Sequence, residues 1–120
     1  MRVLIVDDSK AMRMIVRRTL RQAGFEGLSE MEASNGKEAL SLLETNEPDL
    51  VLCDWNMPEM SGLELLQELK GRGHRVKFGF VTSESTPEMR ATALQAGAQF
   101  LITKPFTAEK FQETLDSVIG

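Results

Sequence analysis

Four short apolar runs in this chain each end on a polar residue with chemistry of its own, and that pattern restricts the fold more than any other feature. Arg2-Val3-Leu4-Ile5-Val6 runs into Asp7-Asp8, and Leu50-Val51-Leu52-Cys53 runs into Asp54. Val76-Lys77-Phe78-Gly79-Phe80-Val81 ends on Thr82, and Phe100-Leu101-Ile102-Thr103 ends on Lys104-Pro105. Segments of helical period separate the runs, and that alternation implies βαβ units around a parallel sheet. The carboxyl ends of parallel strands share one edge, and ligands of open α/β sheets bind outside it. Three carboxylates, a hydroxyl and an ammonium are therefore expected at one crevice. Such a set can place a phosphoryl group on an aspartate with the help of a divalent cation.

The spacing predicts a first helix over residues 10–23 with Ser9 as its N-cap and Gly24 as its stop. At 100° per residue Met12, Ile15, Val16, Thr19, Leu20 and Ala23 share one face, with Lys10, Arg13, Arg17 and Arg21 opposite. Residues 28–33 form a weak second strand, since Leu28, Met31 and Ala33 do not alternate cleanly. A second helix covers 37–45 and ends before Pro48. The third strand is 49–54, and a loop with Pro58 leads to Ser61-Gly62. These open a third helix with Leu63, Leu66 and Leu69 on one side, closed by Gly71-Arg72-Gly73. The fourth strand is 76–82, Pro87 suits the first turn of a fourth helix, and Gly97 ends it. The fifth strand is 99–103, and Thr107 caps a fifth helix whose Phe111, Leu115 and Val118 face inward. Right-handed crossovers then give an α/β three-layer sandwich spanning residues 1–120 as one domain.

Composition narrows the function. A net charge of −4 disfavours nucleic acid as a partner of the whole domain. The single cysteine, Cys53, excludes an intrachain disulfide and a zinc site built on cysteine pairs. The apolar stretch at residues 3–6 is too short for a signal peptide, and no segment is long enough to cross a bilayer. The expectation is a cytoplasmic protein with no membrane partner.

Asp54 is the candidate nucleophile, because a carboxylate can carry a phosphoryl group as an acyl phosphate. Alone, it reads equally well as a turn aspartate after a strand. Asp7 and Asp8 would lie beside it if the first and third strands are neighbours. Two unit charges at ~4 Å repel by about 1 kcal/mol in water and about 4 kcal/mol at an effective dielectric of 20. A cation offsets that repulsion, and Mg2+ suits a site of few carboxylates that also faces phosphate. Lys104 offers a compact positive charge to a phosphoryl oxygen. Pro105 at the end of a buried strand is a site for a cis bond that would aim the lysine. Thr82 offers a hydroxyl, although singly it reads as a strand-end β-former.

The motifs Leu4-Ile5-Val6-Asp7-Asp8-Ser9, Cys53-Asp54-Trp55-Asn56-Met57-Pro58, Val81-Thr82-Ser83-Glu84 and Ala96-Gly97-Ala98 through Lys104-Pro105-Phe106 resemble the response-regulator receiver family over the whole chain. Met60-Ser61-Gly62-Leu63-Glu64-Leu65-Leu66 strengthens the likeness to its stand-alone, chemotaxis-type members. The resemblance implies a flavodoxin-like fold, and the strand order 2-1-3-4-5 comes with that fold rather than from the residues. It implies a signalling module, not an enzyme with a separate substrate, in which Asp54 accepts phosphate from a histidine kinase or a histidine phosphotransfer domain. It further implies Mg2+ held by Asp8, Asp54 and the Asn56 main-chain carbonyl, with Asp7 completing the acidic pocket. Thr82 and Lys104 would bind the phosphoryl group, and Asn56 and Glu84 would tune its lifetime. An unidentified output protein would meet the face formed by helix 4, strand 5 and helix 5.

One position departs from the family. Receivers often carry Tyr or Phe three residues before the lysine as a switch, and here that residue is Leu101, with Phe100 on the opposite face by strand alternation. Either Phe100 substitutes through a local bulge, or displacement of Thr82 is read out differently. The segment Thr86-Pro87-Glu88-Met89-Arg90 has one base, unlike the basic fourth helix of chemotaxis receivers that bind the flagellar motor. The Lys10-Arg13-Arg17-Arg21 stripe reads as a solvated face or as a docking surface for an acidic partner such as a kinase. Trp55 is placed to sense the site, His74 reads as a loop residue, and Cys53 as a small core residue. Two alternatives remain at this point. One is a phosphorelay intermediate that passes phosphate from Asp54 to another histidine. The other is an aspartate-nucleophile phosphatase, disfavoured by Asn56 where a second aspartate would stand.

Overall fold

The apolar runs pair as strands because each is short, rich in branched side chains and bounded by turn residues. The computed structural model describes residues 1–25 and 27–119. Five strands, β1 (Arg2–Val6), β2 (Ser29–Ala33), β3 (Leu50–Cys53), β4 (Lys77–Thr82) and β5 (Phe100–Thr103), alternate with five helices. The helices are α1 (Lys10–Gln22), α2 (Gly36–Thr45), α3 (Gly62–Gly71), α4 (Pro87–Gln95) and α5 (Ala108–Ile119). The sheet is wholly parallel in the order β2-β1-β3-β4-β5, as the flavodoxin-like fold requires. Its register sets Val6 beside Cys53, and Thr82 beside Thr103, so the residues that follow β1 and β3 leave the sheet together.

Local capping fixes where each helix starts. The hydroxyls of Ser9, Ser61, Thr86 and Thr107 and the amide oxygen of Asn35 each accept a main-chain N–H from the first turn. Ser61 and Glu64 form a reciprocal capping box, and Pro87 occupies the first turn of α4. These caps hold the helix starts close to the strand ends, where the predicted site lies.

Alternation along the strands builds two cores. Leu4, Val6, Val51, Cys53, Phe78, Phe80 and Leu101 point to α2, α3 and α4. Val3, Ile5, Leu50, Leu52, Val81, Phe100 and Ile102 point to α1 and α5, where Val16, Leu20, Phe111 and Leu115 meet them. Leu65 joins Leu66 and Leu69 on the buried side of α3, whereas Leu63 is only partly covered.

Three expectations need correction. Ile15 sits on the periodic face of α1 but is 44% exposed and stays outside the core that Val16 and Leu20 join. The strand at 29–33 does alternate: Met31 and Ala33 join the α2–α3 core, while Glu30 and Glu32 turn to α1. The basic stripe of α1 is consequently neither free nor simply solvated. Arg13 pairs with Glu32 at 2.9 Å, Arg17 with Glu30 at 2.5 Å and Glu32 at 3.2 Å, and Arg21 with Glu30 at 3.4 Å. The glutamates that blurred the strand signal are the partners of the arginines, and the Glu30 side chain is left only 6% exposed.

Candidate functional site

At the carboxyl edge of the sheet, Asp7 and Asp8 follow β1 and Asp54 follows β3. One carboxylate oxygen from each lies within 4.8 Å of the others. The Asp54 N–H donates to the Val6 carbonyl at 2.9 Å, and the Asp7 N–H donates to Ala33 at 3.1 Å. Both aspartates are thus fixed by the last bonds of the sheet rather than by loops free to drift.

Asp7 is buried and Asp8 is exposed. One Asp7 carboxylate oxygen accepts the Ser9 N–H at 2.9 Å. The other accepts from Lys104 Nζ at 3.2 Å. The same ammonium stands 3.6 Å from Asp54 Oδ2, and the lysine side chain is 15% exposed. Lys104 follows β5, and its own N–H donates to the Thr82 carbonyl at 2.7 Å, which locks the two strand ends together. The Lys104–Pro105 peptide bond is cis.

Thr82 is fully buried at the end of β4, and its hydroxyl oxygen receives a long contact of 3.5 Å from the Glu84 N–H. Asn56 and Glu84 are exposed, one in each of the loops after β3 and β4. Trp55 packs on Phe80 with ring centroids 4.7 Å apart, directly beside the nucleophile candidate. Cys53 donates its thiol to the Asp54 carbonyl at 3.2 Å. Burial, then the nearby Asp54 and Asp7 charges, push that thiol well above its ordinary pKa, so it behaves as an inert core group.

Burial also raises the Asp54 acid above the ordinary carboxylate value. Lys104 opposes that shift, Asp7 reinforces it, and the main-chain N–H groups of Trp55 and Asn56 pull it back down. A carboxylate so placed gains from any added positive charge. The donor set is carboxylate oxygen throughout, which fits a hard divalent cation such as Mg2+ better than a soft metal.

Leu101 lies in the core shared with α4, and Phe100 faces the α1–α5 core. The β4–β5 register runs unbroken from Gly79 opposite Phe100 to Thr82 opposite Thr103. A bulge that swings Phe100 into the family's aromatic position is therefore absent, which corrects one of the two expected solutions. The Phe100 ring lies over Gly79 instead, where a Cβ would come within 2.0 Å of it. Space for the ring exists only because residue 79 has no side chain.

Residue reasoning missed two supports. Gly62 packs so closely that a Cβ there would fall 2.2 Å from the Asp54 carbonyl oxygen and 2.9 Å from Phe80. Its N–H donates to the Trp55 carbonyl at 2.8 Å, bending the loop back over β3. Arg13 donates to the Asp7 carbonyl at 2.6 Å. The signal for Gly62 was its place at the helix start; nothing in the sequence pairs Arg13 with Asp7.

Residues 3–116 match the response regulator receiver domain family. The chain belongs to that family. It is 38% identical to the chemotaxis protein CheY1 of Helicobacter pylori, over 100% of this chain and 98% of that protein. It is 42% identical to the CheY homolog of Campylobacter jejuni, over 100% of this chain and 93% of that one. Among solved structures, CheY4 of Vibrio cholerae superposes with a TM-score of 0.85 at 32% identity, covering 98% of both chains. The main-chain frame is thus that of a receiver-type signalling module, and no helix among the described residues is long and apolar enough to cross a membrane.

Proposed function

We propose that this receiver is a phosphorylation-activated switch of a two-component system, with Asp54 as phosphoacceptor. One observation carries the reading: Lys104 Nζ stands 3.6 Å from Asp54 Oδ2, inside a cluster of three carboxylates. Those residues come from three separate strand ends, and no packing need explains an ammonium between the buried carboxylates of Asp7 and Asp54.

The donor is a phosphohistidine of a kinase or phosphotransfer domain. An Asp54 carboxylate oxygen forms the new O–P bond as the P–N bond breaks, and the histidine nitrogen keeps the electron pair and takes up a proton. Asp8, Asp54 and the Asn56 carbonyl would hold Mg2+, with Asp7 beside them. When bound, the ion neutralises charge that gathers on the phosphoryl oxygens. Lys104 moves its charge from the free carboxylates to a phosphoryl oxygen, and the Thr82 hydroxyl donates to another. Asn56 and Glu84 flank the opening and set how readily water reaches the acyl phosphate.

The output reading follows from Thr82. Drawing its hydroxyl toward the phosphoryl group shifts β4 against β5, whose Leu101 carbonyl accepts from Arg90 of α4 at 3.3 Å. A groove of about 290 Å³ between α4, β5 and α5, lined by Arg90, Leu94, Phe100, Leu101 and Lys110, would report that shift to a protein partner. The chemotaxis names of its relatives favour a chemotaxis pathway in the cytoplasm.

The test is mass spectrometry after incubation with a small phosphoramidate donor, with and without Mg2+. One phosphoryl group is expected on the wild type with Mg2+, and none on Asp54→Ala. Equal labelling of both proteins would refute the assignment. Return of the label to a histidine phosphotransfer domain would move the reading from output switch to phosphorelay intermediate.

A further inference from the structure

Arg13 lies outside the carboxylate cluster, yet it grips the segment that carries two of its three members. Its Nη1 donates to the Asp7 carbonyl at 2.6 Å, and its Nε donates to Glu32 Oε1 at 2.9 Å. The side chain is 14% exposed, and its bond to the Asp7 carbonyl is part-buried, whereas the bond to Glu32 lies at the surface. We propose that Arg13 is a positioning residue for the divalent-cation site: it fixes the Asp7–Asp8 peptide so that the Asp8 carboxylate faces Asp54. The proposal rests on the Mg2+ reading given above.

Asp7 is anchored at four atoms: its N–H to Ala33, its carboxylate to Ser9 and Lys104, and its carbonyl to Arg13. Asp8 is exposed, and among the described residues no protein group donates to its carboxylate. Its direction is inherited from the main chain. The peptide unit is planar, so the Asp7 carbonyl oxygen and the Asp8 Cα lie in one plane. Holding that oxygen fixes the plane from which the Asp8 side chain departs. A guanidinium suits the task because its fixed fork serves the carbonyl and Glu32 together, and hydrogen bonds from a charged donor are strong. Glu32 is in turn held by Arg17 at 3.2 Å. The α1 arginines and the β2 glutamates thereby act as an outer frame for the site, and such outer partners commonly set metal affinity.

Positioning and simple electrostatics predict opposite signs, which makes the proposal testable. Removing a positive charge near three carboxylates should, by charge alone, tighten binding of a divalent cation. Removing the positioning bond should loosen it. The experiment is a Mg2+ titration followed by Trp55 fluorescence and by calorimetry at fixed ionic strength, on wild type, Arg13→Met, Arg13→Lys and Glu32→Gln. Thermal melts of each protein in chelator run alongside. The expected result is a Kd weakened about tenfold or more in Arg13→Met, the scale typical of lost outer partners. Arg13→Lys keeps the charge but loses the fork, so it should also weaken, and Glu32→Gln should weaken least.

A purely structural Arg13 would lower the metal-free melting temperature and leave Kd alone, which overturns the proposal. Unchanged or tighter binding in folded variants overturns it as well. If Arg13→Met fails to fold, Arg13→Lys decides by the same comparison, because Glu32→Gln would weaken binding by charge alone. Failure of the wild type itself to bind Mg2+ would sink the Mg2+ reading and this inference together. A wild type that binds, with variants that bind equally, would sink this inference alone.

Discussion

Replacing Asp54 by Asn should stabilise the metal-free protein while abolishing its phosphorylation. The carboxylate lies within 4.8 Å of those of Asp7 and Asp8 and 3.6 Å from Lys104 Nζ. At an effective dielectric of about 20, each repulsion amounts to about 3.5 kcal/mol and the attraction to about 4.6 kcal/mol. Solvent screens the exposed Asp8, so repulsion and attraction nearly cancel, and burial of the charge is what disfavours the carboxylate. Removing that buried charge gains on the order of 2 kcal/mol, and the amide oxygen of Asn can still accept the main-chain N–H groups that face Asp54. A total near 2 kcal/mol corresponds to a rise of about 8 °C in melting temperature for a domain of this size. The pH dependence has a definite sign. Burial raises the Asp54 acid in the folded protein, so its contribution to stability is complete below the ordinary aspartate pKa and is lost as pH rises through the raised value. The advantage of Asp54→Asn should therefore be full at neutral pH and vanish in acid. Denaturant unfolding followed by Trp55 fluorescence, in chelator at several pH values, measures it. Saturating Mg2+ should narrow the gap, since an ion that binds only the folded state adds about 2.7 kcal/mol at 100 times its Kd. A variant no more stable than wild type at neutral pH in chelator would refute the charge-burial argument.

Gly62→Ala should cost at least ~1–3 kcal/mol in denaturant melts, because its Cβ would meet the Asp54 carbonyl oxygen and Phe80 rather than a flexible side-chain tip. The same substitution should slow phosphorylation, as it displaces the loop next to the nucleophile. Gly79→Ala should destabilise by a similar ~1–3 kcal/mol through the Phe100 ring, and Phe100→Ala should remove most of that penalty in a double-mutant cycle. Additive effects of the two would show that the ring does not depend on the missing side chain. Arg17→Met should lose about 1 kcal/mol or more, because Glu30 is nearly covered and keeps only the more distant Arg21, and the loss should shrink in high salt.

The candidate site was legible in the sequence because strand ends in a parallel sheet must share an edge. Asp7, Asp54, Thr82 and Lys104 could be placed together from their position after apolar runs, with no contact known. Register could not be read in this way, and it decides the role of Phe100. The ring stays on the α1–α5 side because pairing with β4 never slips, and Gly79 supplies the room. Strand β2 was obscure since its face toward α1 carries Glu30 and Glu32, and the Glu30 side chain is covered only by virtue of arginines elsewhere in the chain. Periodicity scores such residues as surface. Ile15 shows the converse, an apolar residue on the correct helical face that is left 44% exposed. Hydrogen bonds to main-chain atoms, such as that from Arg13 to Asp7, leave no mark in residue pattern at all.

The most direct measurement locates the phosphoryl group on the chain. Borohydride reduces an acyl phosphate to the alcohol, so an aspartate that carried phosphate appears as homoserine in peptide maps. After reaction with phosphoramidate and Mg2+, homoserine should be found at position 54, and its yield should fall sharply in Lys104→Met. Homoserine at position 7 or 8, or a full yield at position 54 without Lys104, would contradict the account.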